Sequence, residues 1–403
     1  MPKIMEHKMP PMSLLVLITM SGTLAMHMFV PALPYSASEL GASAGDMQMT
    51  ISLYIIGLAV GQLFYGPMSD TFGRRPMLLI GLGLYTIAGI CAALSENLYL
   101  LVGARLLQAL GGCAGLSLGR AIVRDTAGAT TVVSQLALLN LMMMIGPGFA
   151  PILGSAISAT LGWRAIFWFL ALLGLIAFFF TWRLLPETSN PSGGLSVSRL
   201  AKDYKQLLSN ARYMGFTLGG GCTTTSIYAF IASAPFVFVT QLHRPLHEVG
   251  LYLGLLIFGM SVGNALTGRL IQRIPVDRLL LAGNTLCLVS ACILLLTILA
   301  GHLQIVTMLS LMFLFSCGIG VAGPTALAKS MNSHPNIVGS ASGFYGFTQM
   351  TAGAICTSIA AVGSQTALSA VTILAAAAFI GQVAIWIALC REHRVATSPQ
   401  TEG

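Results

Sequence analysis

The sequence predicts an all-α membrane protein with twelve transmembrane helices in two pseudo-symmetric six-helix bundles. Only 8% of its 403 residues are charged, 56% are hydrophobic, and the mean hydropathy is +0.84. Soluble domains carry roughly 25% charged residues, so a soluble fold of this composition would lack the polar side chains to cover its surface. Lipid is therefore the expected solvent for most of the chain, which argues against soluble enzymes, secreted disulfide scaffolds and nucleic-acid-binding proteins.

Twelve apolar stretches have the length of roughly 20 residues that a helix needs to cross a bilayer. In chain order they cover residues 13–34, 48–68, 77–95, 98–119, 133–161, 165–185, 213–239, 249–271, 279–300, 304–328, 339–362 and 366–390. The first stretch follows a basic leader, as in a signal peptide, but it is longer than a signal peptide and lacks a small-residue cleavage site. We therefore expect it to be retained as a transmembrane helix.

The distribution of Lys and Arg indicates on which side of the membrane the loops lie. Twelve spans put both termini on the same side, and basic residues concentrate in cytoplasmic loops. If the N-terminus is cytoplasmic, only Arg164 and Arg244 of the 20 Lys and Arg fall in outer loops, and only Arg105 falls within a span. The net charge of +8 thus reports topology rather than a nucleic-acid partner, and both termini are expected in the cytoplasm.

The longest polar segment lies between the sixth and seventh stretches and divides the chain into six spans plus six. Pro31 and Pro235, at the ends of the first and seventh stretches, are 204 residues apart, and Gly66 and Gly268, at the ends of the second and eighth, are 202 apart. Half of the chain is about 202 residues, so these offsets indicate an internal duplication. The sequence therefore predicts an N-terminal half, a cytoplasmic linker, a C-terminal half and a cytoplasmic tail, at residues 1–185, 186–212, 213–392 and 393–403.

No cofactor, metal site or enzyme active site is expected from the sequence. The eight cysteines lie in or beside the apolar stretches and form no CxxC pair, so we interpret them as small buried hydrophobic residues. The GxSxG matches at 115–119 and 259–263 lie within continuous apolar helices rather than on a strand-turn-helix elbow. A phosphate-binding loop of the GxxxxGKS or GxxxxGKT type does not occur, so no nucleotide site is expected.

The loop after the second stretch carries the motif GPMSDTFGRRP, which begins at Gly66. Gly66 suits a close helix exit, Asp70 can pair with a neighbouring helix end, and Gly73 permits a tight turn before Arg74 and Arg75 at the lipid headgroups. This pattern resembles the GxxxDxxGRR signature that lies between spans two and three in the major facilitator superfamily. The resemblance implies the major facilitator fold and a protein that works as a monomer in the lipid bilayer.

Further stretches resemble the drug/proton antiporters of that superfamily. The run RLLQALGG, which contains Arg105 and Gln108, is similar to their RxxQG motif. The run GPGFAPILG resembles their Gly-Pro motif and contains Gly146, Pro147 and Pro151. Because proline removes a donor from the helical hydrogen-bond ladder, these prolines are expected to let the fifth span bend.

Four more segments, VPALP, GRAIVRD, ASAPFVF and GSASGFYGFTQ, look like the Bcr/CflA branch of these antiporters, and the second contains Arg120, Arg124 and Asp125. The resemblance covers nearly the whole chain. It implies a bacterial inner-membrane exporter of small, drug-like molecules that is coupled to proton entry. The residues of the signature loop, the Gly-Pro motif and GRAIVRD are expected to form its conformational gate.

The chain departs from the pattern of related exporters in the first span, where an acidic residue is often found. His27 occupies that position, and all twelve Asp and Glu residues fall in loops or at span ends. The candidates for a charge within the membrane are therefore His27 and Arg105, which lie at a similar depth by residue count. Because histidine titrates near neutral pH, we expect His27 to carry the coupled proton. The alternative is a histidine that hydrogen-bonds a neighbouring helix without titrating.

A cavity that contains Arg105 and no carboxylate predicts neutral or anionic amphiphilic substrates, such as phenicol-like or quinolone-like compounds, over permanent cations. Asn140, Asn264 and Gln349 lie in the fifth, eighth and eleventh spans, where their amides can bond either substrate or a neighbouring helix. The alternative function is an uptake or export permease for a small metabolite anion, with or without proton coupling, because a cationic cavity suits that substrate equally well.

Overall fold

The computed structural model describes residues 10–126, 132–189, 197–333, 338–362 and 367–397, and these residues form fifteen α-helices and no β-strand. The helices are α1 (Met12–Phe29), α2 (Leu33–Glu39), α3 (Ala44–Phe72), α4 (Arg74–Ala93), α5 (Leu98–Thr126), α6 (Val132–Leu161), α7 (Arg164–Leu184), α8 (Val197–Ser209), α9 (Ala211–Thr225), α10 (Ile227–Phe236), α11 (Leu246–Leu270), α12 (Val276–Leu299), α13 (Ile305–Asn332), α14 (Val338–Val362) and α15 (Ala367–Thr397). A 3₁₀ turn, Val30–Ala32, joins α1 to α2, and a π-helical segment, Val237–Gln241, follows α10.

Every apolar stretch of the sequence coincides with a helix or with consecutive helices. The first forms α1, the 3₁₀ turn and α2, and the seventh forms α9, α10 and the π-helical segment. Within the described ranges, ten of these helical segments are long and apolar enough to cross a membrane. Because α6 and α14 are not among the ten, the all-helical class is confirmed, whereas the count of twelve spans stays a prediction.

Short polar signals set several helix ends. The hydroxyl of Ser43 accepts a hydrogen bond from the backbone N–H of Asp46 at 3.1 Å and caps α3. Asn210 caps α9 in the same way and accepts from two backbone N–H groups at 3.0 Å. Gly73 separates α3 from α4 with a φ of +101°, a value that favours glycine because it has no Cβ.

Glycines bring α1 into direct backbone contact with α5 and α6. A Cβ atom on Gly115 would lie 1.9 Å from the carbonyl oxygen of Ile18, and one on Gly154 would lie 1.9 Å from that of Met28. Both distances are far below van der Waals contact, so a larger residue would force the helices apart. Small residues commonly allow such close helix packing in membranes. The contact holds Arg105 of α5 beside the backbone of α1.

The described helices form two compact units. The first lies within Met1–Ser196 and Phe238–Gly254 and contains α1 to α7 with the start of α11. The second lies within Val197–Val237 and Leu255–Gly403 and contains α8 to α10, the rest of α11, and α12 to α15. The division into two halves around a linker at 186–212 stays a prediction.

Candidate functional site

Arg105 on α5 is fully buried in the first unit, with 0% of its surface exposed. Its Nη1 donates to the backbone carbonyl of Ala25 on α1 at 3.0 Å and to Oε1 of Gln108, one turn along α5, at 2.7 Å. Gln108 is also fully buried. The structure therefore brings together two of the residues that the sequence proposed for the site.

Three aromatic rings surround the guanidinium group of Arg105. Its central carbon lies 4.0 Å from the ring centroid of Tyr54 on α3, 5.4 Å from that of Phe29 on α1 and 5.6 Å from that of Phe167 on α7. The Tyr54 hydroxyl is held by a 2.6 Å hydrogen bond that it donates to the carbonyl of Gly22. Cation–π contacts contribute about 2 kcal/mol where water is excluded, so the rings partly replace a counter-ion.

The Arg105 cluster, which consists of Arg105, Gln108, Tyr54, Phe29 and Phe167, retains unused hydrogen-bond donors. Among the described residues, Nε and Nη2 of Arg105 and Nε2 of Gln108 have no hydrogen-bond partner. The ion pairs found in the described part of the chain do not include Arg105. An unpaired buried donor costs about 1–3 kcal/mol. The cluster can therefore donate hydrogen bonds to a ligand that offers carbonyl, nitro or carboxylate oxygens.

His27 lies on α1, two residues beyond Ala25, and only 6% of its surface is exposed. Two residues correspond to about 3 Å of helical rise, so Arg105 reaches α1 at nearly the depth of His27. His27 thus lies in the first unit at nearly the depth of the contact between Arg105 and α1.

The signature loop forms an ion cluster that connects α3, α4 and α5. Nη1 of Arg74 lies 2.6 Å from the carboxylate of Asp70, and its Nε lies 3.0 Å from that of Asp125 near the end of α5. Arg75 donates from Nη2 to a backbone carbonyl of α7 at 2.7 Å.

The expectation of a close helix exit at Gly66 is wrong, because α3 continues to Phe72 and a Cβ on Gly66 would meet no atom within 4 Å.

Glu187, which the sequence analysis did not identify, completes this signature-loop cluster. Its carboxylate accepts from the backbone N–H groups of Arg74 at 2.8 Å and Arg75 at 3.2 Å, and a Cβ on Gly73 would lie 2.5 Å from it. Burial raises the pKa of this carboxyl, but hydrogen bonds from Ser189 and Arg74 outweigh burial and lower the pKa below its ordinary value. The sequence does contain a signal for this contact: Glu187 lies at the start of the predicted linker, on the cytoplasmic side where Arg74 and Arg75 are also predicted.

The second unit contains a counterpart of the signature-loop cluster in which two of the three corresponding residues have the opposite charge. Nζ of Lys329, near the end of α13, lies 2.6 Å from Asp277 at the start of α12 and 2.7 Å from Glu392 on α15. Each of these residues corresponds to a member of the first cluster. Asp277 lies 203 positions after Arg74, Lys329 lies 204 positions after Asp125, and Glu392 lies 205 positions after Glu187. The offset is that of the internal repeat. The charge changes sign between Arg74 and Asp277 and between Asp125 and Lys329, whereas Glu187 and Glu392 are both acidic, and the two changes of sign explain why the sequence motif does not reveal the correspondence.

The Gly-Pro motif lies in α6, which runs as a continuous helix through Pro147 and Pro151. A Cβ on Gly146 would lie 2.1 Å from Cε of Met20 on α1, and one on Gly250 of α11 would lie 2.7 Å from the carbonyl oxygen of Pro151. The motif therefore packs closely on α1 and on the start of α11 within the first unit. Its role in gating stays a prediction, as does that of two exposed arginines near the end of α5, Arg120 and Arg124.

The amides proposed for the site have different surroundings. Gln349 on α14 donates from Nε2 to Oγ1 of Thr224 on α9 at 2.7 Å, and Asn264 on α11 is partly exposed. The side chain of Asn140 lies outside the described part of the structure. Asn284, which the sequence analysis missed, is fully buried on α12, and its hydrogen bonds reach α9 and α15, so it joins three helices of the second unit.

Comparisons with known proteins identify the family. The sequence model of the Major Facilitator Superfamily matches residues 15–357. A Bacillus subtilis (strain 168) protein named "Uncharacterized MFS-type transporter YdgK" is 31% identical over 388 residues, which cover 93% of this chain and 94% of that protein. Multidrug resistance protein D of Escherichia coli (strain K12) is 27% identical over 379 residues, again with coverage of 93% and 94%.

A solved transporter structure shares the fold. The crystal structure of a D-xylose-proton symporter matches with a TM-score of 0.73 and 16% identity, and the match covers 94% of this chain and 96% of that one. At this identity the likeness concerns the fold alone. With a family match that extends over most of its length, the chain belongs to the Major Facilitator Superfamily, and it is a multi-pass membrane transporter rather than an enzyme.

Proposed function

We propose that this chain exports small amphiphilic, drug-like molecules by alternating access and that proton influx drives the export. Membership of the superfamily supports transport, and the E. coli relative is named for multidrug resistance. The two stretches that resemble antiporter motifs, RLLQALGG and GPGFAPILG, support export rather than uptake. The observation that carries the proposal is the Arg105 cluster.

The Arg105 cluster favours neutral and anionic substrates over cations. A guanidinium that forms no ion pair repels a cationic ligand, and the repulsion is stronger at low dielectric than in water. The unused donors of Arg105 and Gln108 match carbonyl, nitro or carboxylate oxygens, while the surrounding rings suit an apolar body. The cluster is closed in this structure, so the proposal requires that the transport cycle exposes it.

His27 is the proposed carrier of the coupled proton. It is buried on α1 at nearly the depth where Arg105 contacts that helix. The described acidic residues of the first unit lie in loops or close to helix ends, and a histidine can exchange a proton near neutral pH. Protonation of His27 would add positive charge at nearly the depth of Arg105, and at low dielectric this charge is the proposed link between the proton and the Arg105 cluster.

The proposal includes a location in the bacterial inner membrane, with both termini and the signature loop in the cytoplasm. The concentration of Lys and Arg in alternate loops supports this orientation. The predicted halves, 1–185 and 213–392, are the proposed moving bodies of a monomer, and the segment at 186–212 is the proposed linker between them.

Resistance profiling of an efflux-deficient bacterial host tests the proposed function. Cells that express the parent chain, Arg105→Ala or Arg183→Ala are compared against permanently cationic, neutral and anionic drugs; Arg183 is an exposed arginine of α7 and serves as the control. We expect the parent and Arg183→Ala to raise inhibitory concentrations of neutral and anionic drugs severalfold, and Arg105→Ala to lose this effect. A flat profile would contradict drug export and favour the permease for a metabolite anion, whereas strong export of a quaternary ammonium compound would contradict the charge preference.

A further inference from the structure

The hydrogen-bond ladder of the seventh apolar stretch is interrupted near its middle, in the second unit. α9 ends at Thr225 and α10 begins at Ile227, within a helical segment that spans Ala211–Gln241. Three successive threonines end α9, and the hydroxyls of Thr223, Thr224 and Thr225 donate to the carbonyls four residues earlier at 2.8, 2.6 and 2.8 Å. Interrupted helices near mid-membrane commonly supply substrate contacts in transporters, so a polar group that faces this run lies where a substrate contact is expected.

Gln349 on α14 faces the threonines and is held by two hydrogen bonds. Its Nε2 donates to Oγ1 of Thr224 at 2.7 Å, and its backbone carbonyl lies 2.7 Å from the hydroxyl of Thr225, whose single proton is shared between this carbonyl and that of Gly221. Because the single hydroxyl proton of Thr224 is donated to the carbonyl of Gly220, its oxygen is left to accept from Gln349. The orientation of the amide is thereby fixed, and Oε1 of Gln349 is turned away from Thr224.

Two polar groups on this face of α14 have unused bonding capacity. Gln349 is partly exposed, whereas Thr224 and Thr225 are buried, and Oε1 of Gln349 has no hydrogen bond to any described residue. One turn earlier, Tyr345 is 4% exposed, and its hydroxyl, which lies against Gly220, has no partner within the described ranges. A glutamine that served only to join α14 to α9 would not need an oriented, accessible acceptor.

We infer that Gln349, held by Thr224, determines specificity because its Oε1 accepts a hydrogen bond from substrates that carry a hydroxyl or amide N–H group. The inference rests on the proposed function and adds the chemical group that the second unit recognises, namely a hydrogen-bond donor on a neutral amphiphile. A compound without a donor leaves this acceptor unpaired in the complex. For one net hydrogen bond at a partly exposed group, we expect discrimination of up to about tenfold in KM.

A pair of related probes tests the inference in proteoliposomes with an imposed proton gradient. The first is chloramphenicol, which carries hydroxyl and amide donors, and the second is its derivative with those hydrogens replaced by methyl groups. The variants are Gln349→Leu and Thr224→Val, and Thr357→Val is the control, because Thr357 is a buried threonine of α14 whose hydroxyl donates to the carbonyl of Gly353 in the same helix, at 2.8 Å.

We expect Gln349→Leu to raise KM for chloramphenicol up to about tenfold with little change in the maximal rate. Thr224→Val should raise KM less, because the Gln349 amide keeps its acceptor oxygen and loses only the partner that orients it. Thr357→Val should match the parent. None of the variants should change KM for the methylated derivative. Equal changes for both compounds, or no change for either, overturn the inference.

For a variant that cannot be reconstituted into proteoliposomes, equilibrium binding of both compounds to the purified protein replaces the transport assay. Thermal unfolding shows whether that variant is folded. If Gln349→Leu does not fold, Gln349→Glu keeps an acceptor at the position and should still distinguish the two compounds, and loss of that distinction overturns the inference. Binding of chloramphenicol that depends on Gln349 without transport would reject the proposed export and leave the specificity role intact. Absence of binding of either compound to the parent would reject both.

Discussion

The guanidinium carbon of Arg105 lies 4.0 Å from the centroid of the Tyr54 ring. A buried arginine is usually paired with a carboxylate, because moving an unpaired charge out of water is costly. Here the charge contacts the faces of Tyr54, Phe29 and Phe167 and the carbonyl of Ala25 instead. These groups stabilise the cation without neutralising it, so the positive charge remains available to an anionic or polar ligand.

Arg105→Lys is expected to lose transport although it keeps the charge. A lysine ammonium on its shorter side chain would not occupy the position of Nη1, which bonds both Ala25 and Gln108, and it lacks the planar group that stacks on Tyr54. Loss of a charged hydrogen bond, about 1.5–3 kcal/mol, corresponds to a roughly 10- to 100-fold lower rate. Drug efflux in everted vesicles measures the rate, with Arg183→Lys as the control. A rate close to that of the parent would show that the charge alone is sufficient.

His27→Ala and His27→Asp are expected to change the pH dependence of efflux in different ways. Alanine removes the titrating group, so efflux should lose its dependence on the proton gradient, whereas aspartate supplies another proton acceptor and should shift the pH profile. Everted vesicles assayed across a range of pH values measure both effects. His302→Ala, which changes an exposed histidine between α12 and α13, is the control. If both His27 variants follow the parent profile, the coupled proton is carried elsewhere.

Local features of the sequence predicted the helices and part of the site. Apolar stretches of bilayer length are local, and so is the spacing that places Gln108 one turn from Arg105, so both could be found without a structure. The contact between Glu187 and Arg74 joins residues 113 positions apart and depends on how the segment after α7 meets the start of α4, which no local pattern encodes. Asn284 illustrates the same limit, because its partners lie on two other helices.

Gly115→Ala should destabilise the protein, whereas Gly103→Ala on the same helix should not. A Cβ at Gly115 would overlap the carbonyl oxygen of Ile18, a backbone atom that moves only if α1 and α5 separate, while one at Gly103 would meet no atom within 4 Å. Overpacking costs about 1–3 kcal/mol, and alanine at an open helical site gains up to about 1 kcal/mol. Thermal unfolding of the purified protein measures both changes. Equal melting temperatures for the two variants would mean that α1 can shift away from α5.

Lys329→Met should cost more stability than Glu392→Gln. Lys329 is the cation shared by Asp277 and Glu392, and its side chain is only 13% exposed. Its removal takes the cation away from Asp277 and leaves Glu392 with the longer contact to Arg212, at 3.9 Å. We expect a loss of at most about 3 kcal/mol, since the carboxylates remain partly hydrated. In the double variant Lys329→Met/Glu392→Gln the loss should be smaller than the sum of the single losses by about 1 kcal/mol. Strict additivity in chemical unfolding would show that the two residues are not coupled.

The stability that Glu187 contributes should disappear in acid. Hydrogen bonds lower the pKa of its carboxyl in the folded protein below the ordinary value of 4.5, so the contribution is present in full above that value and is lost as the pH falls through the folded-state pKa. Glu187→Gln keeps the shape but removes the charge that the N–H groups of Arg74 and Arg75 contact.

We therefore expect Glu187→Gln to melt below the parent at pH 7 and the difference between their melting temperatures to close as the pH falls below 4.5 and through the lower folded-state pKa. Glu96→Gln, at an exposed loop acid, is the control and should melt with the parent at both pH values. A difference that persists unchanged in acid would assign the effect to the packing of the side chain beside Gly73. A difference that closes would establish the carboxylate as the group that holds the start of α4.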